Sequence, residues 1–199
     1  MNGFKIAIAA AVALLLAGCK YETISDPKLQ GRDLELMKLA PPMPSDLDPI
    51  RARYRLANPT SEKTPGTIVV DSNAKFLYLI EDNGMALRYP IAVGQDAYVW
   101  SGTAKIGRKA EWPTWTPGND ARSLNPGLPG VVPGGPNNPL GARAIYLYDN
   151  GKDTMYRIHG TNEPDSIGRN QSLGCIRMYN IDVIDLYNRV KEGSKVVVL

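Results

Sequence analysis

Two Asn-Gly pairs, each set between apolar runs of strand length, confine this chain to a strand-rich fold. Asn83-Gly84 separates residues 75–81 (KFLYLIE) from 85–93 (MALRYPIAV), and Asn150-Gly151 separates 144–149 (AIYLYD) from 154–159 (TMYRIH). A two-residue hairpin turn that matches the twist of its strands needs positive φ at both positions, which Asn and Gly tolerate and most residues do not. Residues 67–71 (TIVVD), ahead of Ser72-Asn73, and 194–199 (SKVVVL) read as further strands. One helix is expected between them, with Asn180 as its cap, Asp182 in its first turn and Gly193 as its stop. Ile181, Ile184 and Tyr187 would form its apolar face. The fold class is therefore mostly β with one packed C-terminal helix.

Residues 1–18 stand apart from that fold. Lys5 precedes an apolar run from Ile6 to Leu16, closed by Ala17, Gly18 and Cys19. The run is too short for a bilayer core that needs about 20 apolar residues, but it suits the apolar region of a secretory signal. Leu16-Ala17-Gly18-Cys19 resembles a bacterial lipobox, which implies cleavage before Cys19 and lipidation of that residue. The plainer alternative is an ordinary signal peptide that happens to end near a cysteine. Lipidation would anchor the protein to a membrane facing the periplasm. Lys20, in place of the aspartate that retains lipoproteins at the inner membrane of enteric bacteria, favours the outer membrane. The charge is +3, from 23 basic and 20 acidic residues, and carries no long single-sign run. No nucleic-acid partner is expected from that distribution.

Residues 19–65 read as an extended tether, interrupted by Pro27, Pro41, Pro42, Pro44, Pro49 and Pro59, with room for a short helix over 29–39. The body of the protein is then 66–199. Within it, residues 117–140 hold six Pro and five Gly. A connection of that length is usually a lid or binding loop, or else disordered. Trp112 and Trp115 just before it either line a groove or anchor the loop.

If Cys19 carries lipid, Cys175 has no partner, and an unpaired cysteine in an exported protein is either a reactive thiol or a small buried hydrophobe. His159 is the only histidine, sixteen residues earlier. A free thiol with pKa about 8.5 is only a few per cent thiolate at pH 7, so a Cys nucleophile needs a base, and any imidazole base here must be His159. Gly174 lets the backbone approach a substrate closely and frees amides for an oxyanion hole. Arg177, two places beyond Cys175, shares its face on a strand and suits a substrate carboxylate or a developing oxyanion, the plainer alternative being a solvated surface cation.

His159-Gly160-Thr161, followed by Ser172-Leu173-Gly174-Cys175-Ile176-Arg177-Met178, resembles the HG…S-x-G-C-x-R signature of L,D-transpeptidases with the YkuD-type catalytic domain. Asn138-Pro139-Leu140-Gly141 and the strand after it resemble the segment before the catalytic histidine of that family, and the likeness runs from about Pro65 to Leu199. Leu173 departs from the many members that carry a second histidine there. The resemblance implies a β-sandwich or barrel and a two-step acyl transfer. Cys175 would attack the third-residue carbonyl of a peptidoglycan tetrapeptide stem, releasing D-alanine, and pass the acyl group to an amine. That amine belongs to another stem, giving a 3–3 cross-link, or to an outer-membrane protein. His159 would act as acid and base, oriented by the Gly160 carbonyl, with Gly174 in the oxyanion hole. Arg177, Thr161 and Ser172 would contact substrate, although Ser172 can equally cap the local turn. No metal or other cofactor is implied. Water as acceptor would make the enzyme an L,D-carboxypeptidase or endopeptidase, and an inert thiol would leave a peptidoglycan-binding lipoprotein.

Overall fold

The computed structural model describes residues 21–45, 52–94, 100–172 and 174–199. Residues 1–18, the expected signal segment, with Cys19 and Leu173, lie outside them. The strands are β1 (Glu22–Thr23), β2 (Tyr54–Ala57), β3 (Ile68–Asp71), β4 (Phe76–Ile80), β5 (Met85–Pro90) and β6 (Val93–Gly94). They continue with β7 (Gly102–Glu111), β8 (Arg143–Asp149), β9 (Lys152–His159), β10 (Asn170–Ser172), β11 (Ile176–Arg177) and β12 (Lys195–Val198). The helices are α1 (Gly31–Leu39), α2 (Asn119–Leu124) and α3 (Asn180–Arg189).

Ten strands form one ladder in the order β1-β2-β5-β4-β3-β12-β7-β8-β9-β11, and β6 pairs with β10 beside it. The two expected hairpins are present. Asn83 and Gly84 have φ of 60° and 71°, and Asn150 and Gly151 have 47° and 78°. The last strand joins the two halves of the ladder, running parallel to β3 and antiparallel to β7. Alternation along β3 divides its side chains: Ile68 and Val70 enter the main core, whereas Val69 packs with Tyr78 and Ile80 on the other face. That core draws Leu77, Leu87, Ile106, Ile145 and Val196 from both halves of the ladder onto Val183 and Leu186 of α3 and Val190 just past its end.

The helix differs from its expected phase. Val183 and Leu186 are fully buried, whereas Ile181 and Tyr187 are only half-buried. Ile184 does pack inward, against Trp112 and Ala142. Asp182 and Asp185 are buried as well, because each is paired: Arg53 reaches Asp182 at 2.9 Å, and Asp185 takes the Tyr89 hydroxyl at 2.7 Å and Arg189, one turn further on, at 2.9 Å. Nor does Asn180 cap the helix; Tyr179 holds that place and makes no side-chain cap bond.

The described part of 19–65 is packed onto the body rather than extended from it. β2 lies antiparallel to β5, and β1 to β2. Leu29, Leu36 and Met37 cover Trp112, Ala142 and Ile184. Asp33 of α1 accepts hydrogen bonds from Trp112 Nε1 at 2.8 Å and from both terminal nitrogens of Arg143 at 2.8 and 2.5 Å. The segment is a strap. Its Pro content masked this, since the contacts that hold it are spread over a hundred residues of separation.

Arg53 provides a direct check. Replacing it with Met strands Asp182 in the interior without a counter-charge, which is expected to cost about 3 kcal/mol. Urea unfolding of Arg53→Met against the unaltered protein measures this; an unchanged midpoint would mean that the Arg53–Asp182 pair contributes nothing to the fold.

The Pro/Gly-rich segment is likewise built in. α2 lies within it, Trp115 bridges to Val132, and the buried Asn138 amide donates to the carbonyls of Pro113, Val132 and Pro133, each at 3.0 Å. Trp112 anchors its start: it is buried, with φ of 40° and its indole N–H on Asp33.

Candidate active site

The C-terminal end of β9 sets the site. A register shift between Tyr146 and Tyr148 of β8 marks a bulge opposite β9, where Met155 has φ of 65° and Thr154 Oγ1 donates to the Leu147 carbonyl at 2.7 Å. Bulges turn a strand and re-aim the side chains that follow it. Here those are Tyr156, Arg157 and His159. β11 then lies parallel to β9, with Ile176 opposite Ile158 and Arg177 opposite His159. Cys175, directly before β11, falls beside Arg157, whose backbone N–H donates to the thiol.

His159 is 4% exposed, and its Nδ1 lies 2.6 Å from the Gly160 carbonyl oxygen. A carbonyl can only accept, so Nδ1 carries the proton of the neutral ring and Nε2 is left with its lone pair. Burial depresses the imidazole pKa to about 3, helped by the charges of Arg177 and Arg157 and opposed by the Gly160 bond. Burial raises the Cys175 thiol above its ordinary value, while the Arg157 N–H and the charges of Arg157 and Arg177 oppose that rise. Both shifts favour a neutral thiol and a neutral imidazole at pH 7 over an ion pair.

The other expected site residues fall into two groups. Gly174, with φ of 106°, takes a backbone conformation that a side chain would resist, directly before Cys175. Arg177 is near the surface and its guanidinium meets the exposed Glu163 carboxylate at 2.8 Å. Ser172 Oγ donates to the Cys175 carbonyl at 2.5 Å, which closes the turn that carries the cysteine. Thr161 is buried and occupied: its N–H goes to Asn180 Oδ1 at 3.1 Å, its carbonyl receives Asn180 Nδ2 at 2.8 Å, and its hydroxyl accepts the Glu163 N–H at 2.9 Å. Ser172 and Thr161 therefore spend their polar groups on the protein itself. Cys19, the expected lipid acceptor, lies outside the described residues.

Two residues escaped sequence reasoning. Asn180 binds the Ala142 N–H at 2.9 Å as well as Thr161, and a Cβ on Gly160 or Gly141 would come within 2.2 or 2.1 Å of its Oδ1. These two glycines let the Asn180 amide clamp the strand ends on which His159 rides. Arg157 is held by Asp153 at 2.7 and 3.0 Å, placing a cation near both Cys175 and His159. The Gly141…His159-Gly160…Asn180 spacing was visible in the sequence, but nothing local distinguishes this amide from a helix cap.

Residues 65–198 match the YkuD family, described as the L,D-transpeptidase catalytic domain. This chain belongs to the L,D-transpeptidase family. The probable L,D-transpeptidase YbiS of Escherichia coli is 34% identical over 139 residues, covering 66% of this chain and 43% of that protein. The putative L,D-transpeptidase YqjB of Bacillus subtilis is 34% identical over 133 residues, covering 66% of this chain and 69% of that protein. The chain thus spans less than half the length of its Escherichia coli relative. Among solved structures, one from Brucella melitensis, described as a probable carnitine operon oxidoreductase, is 45% identical, with a TM-score of 0.52 over 77% of this chain and 96% of its own. An L,D-transpeptidase from Mycobacterium smegmatis shares the fold at 16% identity, with a TM-score of 0.52 over 75% of this chain and 67% of its own. The L,D-transpeptidase domain is mostly β with few helices, as its residue pattern requires.

Proposed function

We propose that this protein is a peptidoglycan L,D-transpeptidase that works through Cys175 and His159. The observation that carries this reading is the 2.6 Å bond from His159 Nδ1 to the Gly160 carbonyl, which fixes the ring so that Nε2 is the acceptor. In the first half-reaction the Cys175 proton passes to Nε2 as Sγ bonds to the third-residue carbonyl carbon of a tetrapeptide stem. The oxygen takes up the negative charge, which backbone N–H groups at Gly174 and Cys175 stabilise. Collapse breaks the bond to D-alanine, and Nε2 returns the proton to the departing amine. In the second half an acceptor amine loses its proton to Nε2, attacks the thioester, and releases Cys175 as a thiol. Arg177 receives a substrate carboxylate, which takes the place of Glu163.

The acceptor is an amine of a second stem or of a protein. Lipidation of Cys19 would hold the enzyme to a membrane, with the outer membrane favoured by Lys20. The strap alters what that anchor does. β1 begins at Glu22, only three residues after Cys19, so the anchor would hold the domain against the membrane instead of on a long spacer. Three residues reach at most about 11 Å.

The test supplies a tetrapeptide stem and an amine-bearing acceptor to the purified protein and follows free D-alanine and the joined product. Both are expected, and both are absent in Cys175→Ala. D-alanine without a joined product would make water the acceptor and the enzyme a carboxypeptidase. Neither product would sink the transfer reading and return attention to the oxidoreductase description of the Brucella relative.

A further inference from the structure

The strap and the catalytic corner are joined through one buried arginine. Arg143, 3% exposed in its side chain, spans the gap between α1 and the end of β9. Its guanidinium is held by both oxygens of Asp33, and its other carboxylate neighbour, the exposed Glu111, stands at 4.0 Å. Its backbone carbonyl receives the Gly160 N–H at 3.0 Å, and Gly160 in turn orients His159. The preceding residue completes the frame. Ala142 gives its N–H to Asn180, and its carbonyl accepts both the Trp112 N–H at 2.8 Å and Arg143 Nη1 at 2.8 Å. Asp33 also binds the Trp112 indole, so one carboxylate ties the end of β7 to the start of β8, whose Arg143 carbonyl holds Gly160.

We infer that Asp33 is a positioning residue for His159, acting through Arg143 and Gly160, so that the N-terminal strap is a working part of the catalytic centre. This rests on His159 being the base of Cys175. Carboxylate–guanidinium pairs with two parallel bonds fix orientation as well as position, which a single contact does not. Without Asp33, the buried Arg143 loses its close counter-charge and must turn toward Glu111 or solvent. The carbonyl that holds the Gly160 N–H moves with it, and the imidazole loses its fixed direction. Proton transfer is steep in such misplacement: displacing a catalytic group by about 1 Å can cost 10²-fold in rate. The thiol is tied to Arg157 on the other side of β9 and does not depend on this link.

That difference supplies the test. Acylation of Cys175 by a carbapenem at pH 7 needs His159, whereas alkylation by iodoacetamide at pH 10 draws on thiolate formed by the solvent and does not. Both rates are measured on the full chain for Asp33→Ala, Asp33→Glu, His159→Ala and Arg55→Met. Arg55 is a strap residue that bonds Glu81 and Glu22, away from the corner. The expected result is a fall of about tenfold or more in acylation for Asp33→Ala. Alkylation of that variant stays unchanged, Asp33→Glu recovers part of the acylation rate, and Arg55→Met keeps both rates. Equal losses of acylation and alkylation in Asp33→Ala would overturn the inference, as would no loss of either, or a matching acylation loss in Arg55→Met. If His159→Ala itself acylates normally, the base assignment fails first; if it does not and Asp33→Ala acylates normally, only the positioning role fails.

Discussion

His159→Ala is expected to slow acylation of Cys175 at pH 7 by about a thousandfold, within the range that a positioned general base contributes. The size follows from the resting state. Burial keeps the thiol protonated, so the enzyme cannot draw on a standing thiolate and depends on proton transfer during attack. The sequence contains no second imidazole to take over. The same electrostatics set the pH dependence. The active base is the neutral ring, and with a pKa of about 3 it stays almost wholly neutral at pH 5. An imidazole of ordinary pKa near 6.5 would be only about 3% neutral there. Acylation rates measured from pH 5 to pH 7 should therefore be nearly level. A decline toward acid with a midpoint near 6.5 would mean that His159 is solvated in the working enzyme.

Asn180→Ala is expected to be the most damaging change to stability at the site, at about 4 kcal/mol, because it orphans two buried N–H groups and one carbonyl. Those groups belong to Ala142 and Thr161, on either side of Gly160. Small-to-large changes at Gly141 should act in the same direction, since a new Cβ there meets Asn180 Oδ1 and the Thr161 nitrogen at 2.1 and 2.3 Å. Asn180→Asp separates the roles of the amide. It keeps both accepted bonds and loses the one donated to Thr161, so it should retain more stability than Asn180→Ala. Equal unfolding midpoints for the two variants would show that the accepted bonds carry no weight.

The parts of this molecule legible in the sequence are those governed by neighbours along the chain. Asn83-Gly84 and Asn150-Gly151 announce their turns because backbone sterics act locally. The short apolar runs of β3 and β4 read as strands for the same reason, although the sequence does not tell their two buried faces apart. His159 and Cys175 stand out because each is scarce and chemically apt. What the sequence conceals is settled by contacts between distant residues. Arg53 satisfies Asp182, Asp33 satisfies Arg143, and Tyr89 satisfies Asp185. Those pairings turn an apparent spacer into a strap and bury a helix on faces that its polar residues would assign to solvent. Asn180 is the sharpest case. A short polar residue at a helix start reads as a cap, yet its amide is turned backward onto the strand ends behind His159.

The most direct test of Cys175 as nucleophile and His159 as base is intact-protein mass spectrometry after incubation with a carbapenem at pH 7. The expected result is one covalent adduct that maps to Cys175, is absent in Cys175→Ala, and forms far more slowly in His159→Ala. A protein that stays unmodified, or an adduct that persists in Cys175→Ala, would contradict the assignment of this thiol as the acyl acceptor.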